Sequence, residues 1–418
     1  MKKLHYSWYV CLGCALILFC TSGLTINAFT IYQPYILGNG LTNAQSSGII
    51  TVRSLFCLLS MFLSAPFYRR LPLRTGISLA CLLTAAGFFL FGLADGFYTY
   101  CLAAAVLGLG YGLGTMIPVA MLIERWFRSR RNLALGICTA MTGLSTLGIP
   151  SLLIGIIERV GLREAFFTEA AFIALIALTG FLLIRSDPAQ LGLSPYGQIE
   201  EADSPAGNGR GLDKRDWALL IPMLLLIGAM TNVGYSHLSV LMTGNGFPMA
   251  SVALAITVSG VMMTCGKFCF GLLSEKITVY RANYVFGAAA LTGLILLCLM
   301  GTSKALMFSG AFLYGFGLAV TTVGLTAWAV EWSRPEQFDR DVRRFQIGYT
   351  GGGLLFSSLP GVIADRCGGS YVPAYIFFAV CTIFVLGAAQ YTFMKLRDGG
   401  LGKTAPGGKR AGKAALLH

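Results

Sequence analysis

Residues 217–241 read WALLIPMLLLIGAMTNVGYSHLSVL, from Trp217 to Leu241, without a single Asp, Glu, Lys or Arg. A helix rises about 1.5 Å per residue and a bilayer core is about 30 Å thick, so about 20 apolar residues span it. In lipid the backbone N–H and C=O groups must find partners within a helix or a closed barrel. A barrel would show short strands of alternating polarity, and this run shows none. Trp8 to Tyr32 and Leu79 to Leu93 are equally free of charge. The first of these is too long for a cleavable signal peptide and reads as a first span.

The rest of the chain repeats the pattern. Of 418 residues, 56% are hydrophobic and 12% are charged, against about 25% charged in soluble domains. Spans are expected near 8–33, 45–67, 75–95, 97–123, 132–157 and 165–185, then near 217–241, 248–273, 282–301, 305–330, 345–364 and 371–395. The fold class is therefore an all-α membrane protein of twelve transmembrane helices. The net charge of +13 does not point to nucleic acid, because its placement follows the spans. With both termini cytoplasmic, four of the 31 Lys and Arg lie outside (Arg159, Arg163, Lys304, Arg366) and two lie within spans (Arg53, Lys267). The remainder fall inside, as the positive-inside rule requires. A multi-pass protein of the cell membrane is expected, with a bacterial inner membrane as its setting. The 12 cysteines fall mostly within spans, where they pack as small hydrophobes, so neither a metal site nor a disulfide framework is expected.

The halves repeat at an offset of 207 residues. Arg69 and Arg74 fall on Lys276 and Arg281; Gly108-Leu109-Gly110 falls on Gly315-Phe316-Gly317; Glu124 falls on Glu331. An even number of spans per unit leaves both units in one orientation, and such transporters place their site between the halves near the midplane. The organisation reads as a six-helix bundle over 1–185, a flexible cytoplasmic linker over 186–215, a second bundle over 216–397 and a disordered basic tail over 398–418, lying against anionic headgroups. The two bundles would be related by a pseudo-two-fold axis.

At these residues the chain resembles the major facilitator superfamily, and within it the oxalate/formate antiporter and monocarboxylate transporter branch. Arg125-Trp126-Phe127 through Arg130-Arg131-Asn132-Leu133-Ala134-Leu135-Gly136 matches that branch's Arg-Trp-Phe…Arg-Gly-Leu-Ala…Gly segment, with Asn132 in the glycine's place. Asp187 to Gly197 resembles its Pro-x-x-Leu-Gly-x-x-Pro-x-Gly segment. The superfamily loop signature survives as Gly271, Glu275, Lys276 and Arg281, while Ser64 and Tyr68 replace its glycine and acid in the first half. The resemblance implies a carboxylate-engaging cation in the eighth span, at Lys267, where relatives usually carry Arg. Two departures stand out: Gln346 to Ser358 holds no second Lys, and Met263 stands where proton-coupled carriers have an acid.

Charge inside the membrane carries the functional reading. Arg53 lies about nine residues into the second span and Lys267 about seven above the inner end of the eighth. A charge at the bilayer centre costs at least about 2.5 kcal/mol, so each should face a watery cavity or a partner. No carboxylate is expected at that depth, since Glu169 is placed near an outer end. A substrate carboxylate would supply the missing partner. The alternatives are that Lys267 snorkels to the interface and that Arg53 pins carbonyls of neighbouring helices. Asn27, Tyr32, Tyr111, Asn232, Tyr235 and Tyr349 could hydrogen-bond a solute or join helices, and His237 could carry a proton or be a satisfied interfacial residue. Arg69, Arg74, Glu124, Arg125, Glu275, Lys276, Arg281 and Glu331 could lock the inner loops in one state, or simply anchor in headgroups. Gly143 with Pro150 and Gly353 with Pro360 suit packing and hinge roles.

The expected function is secondary transport of a small organic anion, by exchange or with protons, with efflux of a metabolite or drug as the alternative and a transporter-like sensor more remote. No catalytic triad, metal cluster or ATP-binding loop is legible, so neither enzyme activity nor a cofactor is expected. The expected partners are the anion, protons and membrane lipids, and the chain is expected to act as a monomer.

Overall fold

The structure is a computed structural model that describes residues 5–128, 130–197 and 211–398. Among the described residues it is helical, with one isolated β-bridge. The first half comprises α1 (Ser7–Gly38), α2 (Asn43–Arg70), α3 (Leu73–Leu93), α4 (Phe97–Trp126), α5 (Ala134–Val160) and α6 (Leu162–Leu183). The second comprises α7 (Lys214–Ser236), α8 (Met249–Ile277), α9 (Val279–Cys298), α10, α11 (Arg340–Arg366) and α12 (Val372–Asp398). Eleven of these helices are long and apolar enough to cross a membrane. The tenth expected span, α10, reaches that length only through three pieces: Lys304–Gly317, a π-helical turn Val320–Gly324 and Leu325–Trp332. Both described ends of the chain lie on one side of the bundle, called here the terminal side; the other is the far side.

Each half packs by the same plan. α2 and α3 lie on α4, α3 also on α6, and α1 on α5 and α6; α8 and α9 lie on α10, α9 also on α12, and α7 on α11 and α12. Glycine allows the closest of these approaches. A Cβ at Gly108 would run into the Arg53 carbonyl of α2, and one at Gly315 into the Ser259 carbonyl of α8. Across the halves, α2 meets α11, α5 meets α8, and α1 meets the short helix Leu238–Gly244 that continues α7.

Wide π-helical turns interrupt α1 at Phe19–Ala28 and α7 at Ala229–Val233. The 207-residue offset lays the second onto part of the first. A π turn breaks the regular ladder and leaves carbonyls seeking other donors. In α7 the hydroxyls of Tyr314 and Tyr375 donate to the Met230 and Gly234 carbonyls, each at 2.5 Å. In α1 the donor to Thr25 is Arg53. α5 and α11 also break at matching places, between Leu144 and Ile149 and between Leu355 and Leu359, with Pro150 and Pro360 in the turn that resumes each helix.

One expectation is corrected. The first part of the segment between the halves is not free chain. Asp187 caps a short turn over Pro188–Leu191, and Tyr196 pairs by backbone with the end of α4 while its ring packs on Trp8 and Phe127. Aromatic burial fixes what Gly, Pro and Ser content suggested was loose. The expected linker residues 198–210 and tail residues 399–418 lie outside the described residues.

Candidate functional site: a cavity between the halves

A cavity of about 410 Å³ lies where the two halves face each other, walled by α1, α2, α4, α5, α7, α8, α10 and α11. Arg53 enters from α2 and Lys267 from α8. Arg53 is 6% exposed. Its Nη1 donates to the Thr25 carbonyl at 2.7 Å, and its guanidinium lies 5.1 Å from the centre of the Phe29 ring. That engages one of the five guanidinium N–H donors and leaves the charge itself without a counter-ion among the described residues. Lys267 is half-buried and has no hydrogen bond or ion pair among the described residues. No Asp or Glu lines the cavity. Two cations thus share a partly enclosed space of low dielectric, where their field is focused on whatever enters.

Polar groups from both halves complete the wall. Asn27, Tyr111, Asn232, Tyr235 and Tyr349 all line the cavity. Asn27 Nδ2 donates to the Thr142 carbonyl at 2.9 Å and to Ser145 Oγ at 3.2 Å, which ties α1 to α5. Tyr349 donates to Asn232 Oδ1 at 3.0 Å, tying α11 to α7. These residues join helices and face the cavity at once. The Tyr235 hydroxyl is buried and has no partner among the described residues.

Two expected solute contacts lie elsewhere. Tyr32 points into the first bundle, where its hydroxyl donates to Glu169 Oε2 at 2.5 Å and its ring stacks on Phe166 at 4.1 Å. It follows Asn27 by five residues, which at about 100° per residue turns it roughly 140° away from the cavity. Glu169 is accordingly a buried group of the bundle interior, 5% exposed. His237 sits beyond the cavity, at the closure between the halves. Its Nδ1 meets the Val233 carbonyl at 2.9 Å and its Nε2 meets Ser47 Oγ at 2.9 Å. A carbonyl only accepts, so Nδ1 carries the proton and Nε2 accepts from Ser47.

That closure is on the far side. Thr51 of α2 is bonded to Ser357 and Ser358 of α11 at 2.7 and 2.5 Å, and Ser239 donates to the Thr30 carbonyl. Toward the terminal side, Gln346 of the cavity wall is exposed. The expected gating residues lie on this side. Arg74 donates to the Phe181 carbonyl at 2.7 Å and stacks on that ring, and Arg125 donates to the Ser186 carbonyl at 3.4 Å, all within the first half. Arg69, Glu124, Lys276, Arg281 and Glu331 are exposed there, and the Glu275 side chain lies outside the described residues.

Several wall residues went unread in the sequence, although helical spacing from known members points to them. Along α11 the wall is Gln346, Tyr349, Thr350, Gly353, Leu354 and Ser357; along α2 it is Ile50, Arg53, Ser54, Cys57 and Met61. Both are stripes at spacings of three and four, one helix face each. Among the described residues no group of His, Cys, Asp and Glu stands where it could hold a metal.

The family model described as the Major Facilitator Superfamily matches residues 14–309. The chain is similar to the aspyridones efflux protein of Emericella nidulans, 22% identical over 90% of this chain and 74% of that protein. It is also similar to monocarboxylate transporter 12 of Mus musculus, 24% identical over 91% of this chain and 84% of that protein. Among solved structures, the nucleoside transporter NupG has a TM-score of 0.70 at 12% identity, covering 93% of this chain and 99% of that one, a likeness of fold alone.

Proposed function

We propose that this chain, which belongs to the Major Facilitator Superfamily and so to a family of membrane transporters, carries a small organic anion by alternating access. The observation that carries the reading is the pair Arg53 and Lys267, one from each half, lining one cavity that no carboxylate lines. Keeping such charges away from bulk water is costly. A substrate carboxylate offsets that cost for both at once, and an anion that touches both halves favours their closing around it. Asn27, Tyr111, Asn232, Tyr235 and Tyr349 then offer hydrogen bonds to the rest of the solute. When the terminal side closes, Arg69, Arg74, Glu124 and Arg125 would meet Glu275, Lys276, Arg281 and Glu331 across the interface. Similarity to a monocarboxylate transporter supports the same solute class. The cycle runs as exchange or with protons, in a monomer whose termini are cytoplasmic, in a bacterial inner membrane.

A second reading is efflux of a larger, apolar metabolite. Met61, Met116, Met263, Leu318 and Leu354 supply adaptable apolar wall, and one relative is named as an efflux protein. A thermal-shift screen of the purified protein separates the two. Ligands that bind the folded state raise its melting temperature by mass action. The anion reading expects shifts with small carboxylates and none with the corresponding neutral amides. Shifts confined to bulky apolar compounds would establish the efflux reading instead.

A further inference from the structure

We propose that Asp365 is a latch: from the end of α11 its carboxylate caps the first turn of α2, across the interface between the halves, and so holds the far side of the cavity closed. Asp365 Oδ1 accepts from the Asn43 backbone N–H at 3.0 Å and from Asn43 Nδ2 at 2.8 Å, and Oδ2 accepts from the Ala44 N–H at 2.8 Å. A helix start leaves its first N–H groups without intrahelical partners. Here Thr42 serves Gln45, and Gln45 serves Thr42 in return, at 3.1 and 3.0 Å. The donors on Asn43 and Ala44 are left over, and the other half of the molecule satisfies them.

The bond type and the setting both suit a latch. A carboxylate on backbone N–H groups makes charge-assisted bonds, and it sits at the positive end of the α2 dipole. Tyr371, at the start of α12, donates to Asn43 Oδ1 at 3.1 Å and holds that side chain in register. The approach itself depends on Gly361, one turn before Asp365. A Cβ there would run into the Asn43 carbonyl and the Ser47 hydroxyl. These bonds lie at the exposed rim, so water replaces them when the halves separate, and the latch can reopen in each cycle. The inference does not depend on what the cavity carries.

Hydrogen–deuterium exchange of the purified full-length protein tests it, using Asp365→Ala and, as a second variant, Gly361→Ala, which leaves the carboxylate in place but wedges the helices apart. Removing charge-assisted bonds of this kind should shift the ratio of the two states by about tenfold or more toward an open far side. Exchange in residues 44–48 should then speed up, while exchange on the terminal side, in residues 134–144 and 340–350, should slow as that side spends more time closed. Opposite changes on the two sides support the latch. Faster exchange at residues 44–48 alone would mean a merely local cap, and no change in either region would mean no role; either result overturns the proposal. Should Asp365→Ala fail to fold, Gly361→Ala decides by the same pattern.

Discussion

Replacing Arg53 by Gln separates two roles that one side chain holds in this structure. Its guanidinium is bonded to the Thr25 carbonyl and also faces the cavity. If it were only a pin for the wide turn of α1, losing the charged donor would cost about 1.5–3 kcal/mol of stability. Holding a cation near the membrane midplane, however, costs at least about 2.5 kcal/mol. The two contributions offset, so the ligand-free Arg53→Gln protein should match the wild type in stability to within about 1 kcal/mol. Binding should respond quite differently. A carboxylate about 4 Å from a cation gains about 4 kcal/mol at an effective dielectric near 20. Gln346 of the wall is exposed, and water near it screens part of that gain, so anion affinity should fall by between about tenfold and a thousandfold. Thermal unfolding of the purified protein, with and without saturating carboxylate, reads both quantities. A variant that loses about 3 kcal/mol of stability yet keeps the full ligand-induced shift would refute the reasoning and make Arg53 a structural pin.

Three further outcomes are expected. Lys267→Gln should weaken carboxylate binding by at least about tenfold, whereas Lys267→Arg should retain it, since Lys267 contributes charge with no bonded partner; titration calorimetry compares them. Gly315→Leu should destabilise the second bundle by more than about 3 kcal/mol, because its Cβ meets the Ser259 carbonyl, a backbone atom that cannot rotate away; Gly108→Leu should do the same to the first bundle, and loss of the monodisperse peak in size-exclusion chromatography would register either. Tyr32→Phe should lower the melting temperature by the equivalent of about 1–2 kcal/mol, through the lost bond to Glu169, and leave anion affinity unchanged.

The spans were legible because lipid imposes length and composition together, and runs such as Trp217 to Leu241 satisfy both. The repeat was legible because close helix approach demands glycine at the same depth in each half, as at Gly108 and Gly315. The break at Leu318 and the wide turns in α1 and α7 were not legible. A π turn inserts a residue without changing polarity, so nothing in a hydropathy pattern marks it. That is also why the site was only partly readable. Depth singled out Arg53 and Lys267, which line the cavity, but depth does not give the face of a helix. Tyr32 lies in the same apolar run as Asn27 and points to the other side, and His237 follows Tyr235 by two residues and belongs to the closure. The ordered stretch up to Tyr196 was missed because its anchor is a set of aromatic contacts with α1 and the end of α4, distant in sequence.

The most direct test of the central claim is uptake into proteoliposomes loaded with unlabelled carboxylate and challenged with labelled oxalate, formate, lactate or pyruvate. The account predicts that the wild-type protein accumulates at least one of these acids. It predicts that Arg53→Gln and Lys267→Gln each lower the initial rate at least about tenfold in protein that remains folded. Uptake by both variants at the wild-type rate would contradict it.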